Sequence, residues 1–177
     1  MSHWRYAGIE YDDVANGIGL GAVFFTQYCS HHCHGCHNPQ TWSKDGGMEF
    51  TENVLKQLLQ YFRDIPYASR LTMSGGDPLS SLDLTYYVIS KFKKEFPNKT
   101  VWLYTGFEFE QFALNHPISE SEKAIHQILS LCDVIVDGRF VLEQRDVTLP
   151  YVGSSNQRVI DVKKSLALKE TVLWTCE

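Results

Sequence analysis

Four short apolar runs set the limits on how this chain can fold: Gly21-Ala22-Val23-Phe24-Phe25, Arg70-Leu71-Thr72-Met73, Thr100 to Tyr104, and Asp133-Val134-Ile135-Val136. Helical patterns separate them. Strands that alternate with helices pair in parallel through crossover connections, so the pattern predicts an α/β fold. The first helix opens at Thr51-Glu52, with Val54, Leu55, Leu58, Leu59 and Phe62 on one face. A second runs from about Ser81 to Phe96, with Leu82, Tyr86, Ile89, Phe92 and Phe96 inward, and stops at Pro97-Asn98. Ser119 and Glu122 form a capping box for a third, whose buried stripe is Ile125, Ile128 and Leu129. Arg158-Val159-Ile160-Asp161-Val162 is a candidate edge strand. These units are too few for a closed eight-fold barrel, so the expected architecture is a small incomplete (partial) TIM-like α/β barrel with a parallel sheet open along one side.

In such folds chemistry sits at the carboxyl ends of the strands. Each run here is followed by a distinctive turn: the cysteine loop from Cys29, then Ser74-Gly75-Gly76-Asp77-Pro78, then Thr105-Gly106, then Asp137-Gly138. All four are expected on one rim. The cysteine loop, CSHHCHGC, places Cys29, Cys33 and Cys36 at a C-x3-C-x2-C spacing. Three thiolates on a compact loop can hold three corners of an iron-sulfur cube and leave one iron for an outside ligand. Zinc is the competing reading, because His31, His32, His34 and His37 crowd the same loop and a Cys3His set would close a structural site. Zinc ribbons usually separate two ligand pairs by a longer span, which favours the cluster. Cys132 and Cys176 read as packed bystanders.

Composition narrows the rest. At 177 residues and 44% apolar the chain has material for one core. A net charge of −5 gives no electrostatic case for nucleic acid or an anionic membrane surface. No window approaches a membrane span, and the start lacks a signal-peptide pattern, so a cytoplasmic protein is expected.

The ordered set of motifs resembles a known family. The C-x3-C-x2-C loop after a first strand and the Gly-Gly-acid-Pro turn after a second resemble the radical S-adenosylmethionine superfamily. More narrowly, Cys33-His34-Gly35-Cys36-His37-Asn38, Thr41-Trp42, Ser74 to Leu79, Trp102-x-Tyr104-Thr105-Gly106-Phe107, Val136 to Phe140 and Gly153-Ser154-Ser155-Asn156-Gln157 are similar to the activating proteins of anaerobic ribonucleoside-triphosphate reductase. The resemblance spans residues 11 to 162. It implies one radical S-adenosylmethionine domain over residues 1–177, with a 4Fe-4S cluster on Cys29, Cys33 and Cys36 and with S-adenosylmethionine on the fourth iron.

The implied activity is that of an oxidoreductase: one electron from the reduced cluster splits S-adenosylmethionine into methionine and a 5'-deoxyadenosyl radical, which takes a hydrogen atom from a glycine of the reductase. A one-electron donor such as a flavodoxin or ferredoxin is the second implied partner. No side chain is expected to act as a catalytic acid or base. For S-adenosylmethionine contacts the resemblance implies Gly35, Cys36 and His37 at the adenosyl moiety, and Gly75, Gly76 and Asp77 at the methionine amino group. Asp77 has an equal alternative as a helix cap. Thr105 and Asp137 likewise read either as site residues or as strand-end caps. Ile18 stands where the family usually has proline in Asn16-Gly17-Ile18-Gly19, which is expected to loosen that turn. Trp102, Tyr104 and Phe107 read as core rather than as a radical relay, and Lys91, Lys93 and Lys94 as a solvated helix face. Two other readings stay open: an activase for another glycyl-radical enzyme, of pyruvate formate-lyase type, and a non-catalytic zinc or iron-sulfur binding module.

Overall fold

The computed structural model describes residues 3–175, and Cys176 lies outside them. Seven strands form one mixed sheet. Its centre is the predicted parallel set: β2 (Gly21–Thr26), β4 (Arg70–Gly75), β5 (Thr100–Tyr104) and β6 (Val134–Asp137), paired in that order with Gly21 beside Arg70, Arg70 beside Thr100 and Trp102 beside Val134. Three antiparallel strands complete it. The first, β1 (Arg5–Asp13), pairs with β2, the two-residue β3 (Met48–Glu49) pairs with β1, and β7 (Arg158–Asp161) pairs with β6. The expected edge strand is therefore present, while β1 and β3 extend the opposite side beyond the predicted set.

Helices α1 (Glu52–Asp64), α2 (Leu82–Glu95), α3 (Glu120–Leu131) and α4 (Val162–Leu168) contribute to one apolar layer against Phe24, Leu71, Met73, Leu103 and Ile135. In α1 the inward face is Leu55, Leu58, Leu59 and Phe62, with Val54 only half-buried. In α2 the stripe is turned from the expected one: Leu84, Thr85, Val88, Ile89 and Phe92 are buried and Tyr86 is exposed. This helix packs against α3 as well as the sheet, so the two contacts together select its buried face. The Ser119–Glu122 capping box forms as expected, and Ile128 and Leu129 are buried.

The other face of the sheet carries Trp102, Val134, Val136 and the half-buried Val159, covered by Tyr151 and Trp174. Towards the amino ends of the strands it is sealed by Arg70, fully buried and paired with Asp13 at 2.6 Å. Arg70 also donates to the Asn16 carbonyl, and Asp13 accepts from the backbone and side chain of Asn16. Gly17, with φ +134, lies so close that a Cβ would meet Arg70 Cδ at 2.6 Å. The Asn16–Gly19 turn is thus pinned by Asp13 and Arg70 despite Ile18. Among the described residues, no helix is long and apolar enough to cross a membrane.

Candidate metal centre

The cysteine loop leaves β2 and curls back onto the strand-end rim. Tyr28 donates to the Thr41 carbonyl at 2.8 Å, and Cys36 donates to that of Cys33 at 3.1 Å, closing the turn that separates those two cysteines. Gly35 makes that turn with φ +74, and Leu142 occupies the space where its Cβ would lie, 2.9 Å from Leu142 Cδ1. Cys29, Cys33 and Cys36 line a common cleft with Ser74, Gly75, Gly76, Asp77, Thr105, Gly106 and Gly138. All four predicted strand-end turns therefore meet. His37 also lines this cleft, whereas Gly35 sits at the back of the loop.

The paired glycines are required by their own backbone neighbours. Gly75 has φ +103, and a Cβ there would lie 2.7 Å from Phe25 Cα; at Gly76 it would lie 2.2 Å from the Tyr28 carbonyl oxygen. Gly76 donates to Thr26 and Asp77 to Tyr28, both at 2.8 Å. The Gly-Gly edge is thereby fastened to the segment that launches the cysteine loop.

Asp77 is the junction of the site. Its carboxylate, 1% exposed, accepts from the Leu79 amide (2.9 Å), the Gly106 amide (2.8 Å), the Thr105 hydroxyl (2.9 Å) and His31 Nε2 (2.8 Å). Four donors use the normal capacity of a carboxylate. Asp77 thus serves as the cap for the turn Pro78–Ser80, and Thr105 serves the same junction. Asp137 accepts from the Phe109 amide and Arg158, the strand-end capping role that was its alternative.

The histidines separate into distinct roles. His31 is buried on Asp77, His32 stacks on Trp42 with centroids 4.8 Å apart, and His37 meets Phe140 at 5.7 Å. Among the described residues, no three His, Cys, Asp or Glu side chains converge on one ion position. A cubane places a separate iron behind each thiolate, so its ligands need not converge on a point.

The thiols fit such a group. Burial pushes Cys29 up from its ordinary pKa, opposed by the amides of His31 and His32, while the Asp77 carboxylate adds to the rise. Burial also raises Cys33, with Cys36 adding to it and the Phe140 amide and Arg139 opposing. Cys36 Sγ accepts from the Asn38 amide at 3.4 Å. Soft donors, buried at Cys29 and half-buried at Cys33 and Cys36, and supplied with main-chain N–H groups suit a cationic iron-sulfur core, which compensates the partly desolvated thiolates. Sequence reasoning passed over His31 as the Asp77 partner and Phe140 as a neighbour of the cysteine loop; each contact joins residues far apart in the chain, and no local pattern reports it.

Residues 15–160 match the family described as a 4Fe-4S single cluster domain, which makes this an iron-sulfur α/β protein as a class. Among similar proteins, the anaerobic ribonucleoside-triphosphate reductase-activating protein of Vibrio cholerae is 34% identical over 160 residues, covering 89% of this chain and 96% of its own. The Escherichia coli K12 protein of that name is 32% identical, covering 90% and 97%, and that of Enterobacteria phage T4 is 36% identical, covering 83% and 87%. The chain belongs to the family of anaerobic ribonucleoside-triphosphate reductase-activating proteins.

Proposed function

We propose that the chain acts as a single radical S-adenosylmethionine domain, an open partial barrel working in the cytoplasm, that installs a glycyl radical on anaerobic ribonucleoside-triphosphate reductase. The observation that carries this reading is the meeting of Cys29, Cys33 and Cys36 with the Gly75–Gly76 edge in one cleft. When bound, a 4Fe-4S cluster and S-adenosylmethionine supply one-electron reductive cleavage to a 5'-deoxyadenosyl radical.

The protein's part is placement. Cys29, Cys33 and Cys36 would hold the cluster. The amides of Gly76 and Asp77 are committed to Thr26 and Tyr28, so neither N–H is free to oppose an ammonium at this edge. Asp77 keeps that edge, Thr105-Gly106 and the cysteine loop at fixed spacing through His31, and the methionine moiety is accommodated beside it. Cys36 and His37, with Gly35 forming the turn between Cys33 and Cys36, bound the adenosyl side, where Phe140 packs on His37. The partner is a protein whose glycine enters at the open rim, and a flavodoxin or ferredoxin supplies the electron.

The test combines anaerobically reconstituted, reduced protein with S-adenosylmethionine and the reductase, and looks for the doublet of a glycyl radical by electron paramagnetic resonance. An intact cluster that cleaves S-adenosylmethionine without producing that doublet rejects the substrate assignment. Stoichiometric zinc with no cluster rejects the reading as a whole.

A further inference from the structure

The Gly153-Ser154-Ser155-Asn156-Gln157 segment contributes no thiol and no residue to the Gly-Gly edge, yet its side chains are spent almost wholly on one neighbour. Gln157 Nε2 donates to the Gly138 carbonyl at 2.9 Å, and Asn156 Nδ2 donates to that of Arg139 at 2.9 Å. Ser154 Oγ, fully buried, accepts from the Val141 amide at 3.2 Å and donates to Asn156 Oδ1 at 2.7 Å. The segment braces itself as well, since Gln157 Oε1 accepts from the amides of Gly153 (2.8 Å) and Ser154 (3.2 Å). Gly138, Arg139 and Val141, which flank Phe140 on both sides, are thus held by one segment.

What they hold is the wall of the cysteine loop. Phe140 packs on His37, and Leu142 fills the space behind Gly35. Cys29 and Cys36 take their N–H groups from His31, His32 and Asn38 inside the loop itself. Cys33 differs, because Phe140, which lies outside the loop, lines the same cleft as its thiol, and the Phe140 amide opposes the rise of the Cys33 pKa.

We propose that Ser154, Asn156 and Gln157 are a clamp that positions the Phe140 main chain beside Cys33 in the cleft, making this distant segment a determinant of the potential and retention of the iron-sulfur cluster. An N–H directed at a ligand sulfur stabilises the more negative, reduced state, and hydrogen bonds to sulfur are among the factors that set such potentials. The three are positioning residues, acting through Phe140. The inference rests on the assignment of the cluster to Cys29, Cys33 and Cys36.

The experiment compares the reconstituted full chain with Asn156→Ala, Gln157→Glu and, as control, the exposed Ser155→Ala, by redox titration followed by electron paramagnetic resonance and by the rate of cluster bleaching in air. Asn156→Ala removes the bond to Arg139; Gln157→Glu keeps the acceptor for Gly153 and Ser154 while replacing the donor to Gly138 by a repelling oxygen. The expected result is a midpoint shifted to more negative potential and faster bleaching in both, with Ser155→Ala matching the parent. Fully loaded variants with an unshifted midpoint overturn the clamp. If a variant loads poorly, hydrogen exchange of residues 138–142 in the metal-free protein decides: exchange about tenfold faster than the parent supports the clamp, consistent with opening of a local unit, and unchanged exchange refutes it. A parent protein that takes up no 4Fe-4S cluster instead refutes the cluster assignment, which separates the two failures.

Discussion

Replacing Asp77 by Asn keeps the shape of the side chain and removes one charge and one acceptor, so it isolates what the junction contributes before any cofactor binds. In the native site Oδ2 accepts from Gly106 and His31, and Oδ1 accepts from Leu79, with Thr105 donating between them. An amide nitrogen at the Oδ2 position faces the Gly106 N–H; turned the other way it faces the Leu79 N–H. Either orientation strands one main-chain donor, buried at Leu79 and part-buried at Gly106, at about 1–3 kcal/mol, and the remaining bonds lose their charge assistance, so the substitution costs about 2–4 kcal/mol in the metal-free protein. For a domain of this size that corresponds to a melting point lower by about 5–15 °C. Differential scanning calorimetry of metal-free Asp77→Asn under anaerobic conditions measures it directly. A melting point within about 1 °C of the parent, a shift worth well under 1 kcal/mol, would show that the four bonds do not organise the empty site and that Asp77 acts only on a ligand.

Three further outcomes follow from the geometry. Gly76→Ala puts a methyl 2.2 Å from the Tyr28 carbonyl oxygen; it is expected to displace the cysteine loop and reduce cluster loading several-fold, read as iron and sulfide per chain. Cys33→Ala leaves two cysteine ligands and is expected to abolish the cluster absorbance and S-adenosylmethionine cleavage together; cleavage retained in this variant identifies the ligands wrongly. Burial opposes ionisation of Asp133, but Lys163, the Val101 amide and Lys93 hold its carboxyl below the usual range. A lowered folded value means that its stabilisation is complete above the unfolded pKa of about 3.9 and is lost as pH falls through the folded one. Asp133→Asn is therefore expected to flatten the loss of stability below about pH 4, measured by urea titration at stepped pH.

Legibility in the sequence followed burial on both faces. The strands β2, β4, β5 and β6 are short apolar runs ended by turns, and all four stood out. The antiparallel β1 did not: Arg5, Glu10, Asp12 and Asp13 interrupt it, its residues are mostly half-buried or exposed, and its pairing with β2 shifts register twice. β3 has only two residues and α4 only seven, too short for a period to register. The stripe of α2 was misplaced by its second neighbour, α3. At the site, the cysteine spacing and the Gly-Gly-Asp-Pro turn were visible because each is local. The His31–Asp77 bond spans 46 positions and could not be read from either motif alone.

That spacing has a consequence for how the protein is made. The cleft is closed by contacts between residues 31 and 77, 77 and 105, and 138 and 157, and the cysteines themselves lie near the beginning of the chain. Long-range closures form late, because the intervening chain must be ordered before they stabilise anything. A nascent chain that has just exposed its three thiols thus has neither the Asp77 junction nor the Phe140 wall to shelter them. If the three thiols hold the cluster as proposed, its insertion is expected after synthesis has passed Gln157, because iron offered earlier would meet an unshaped thiol loop open to oxidation.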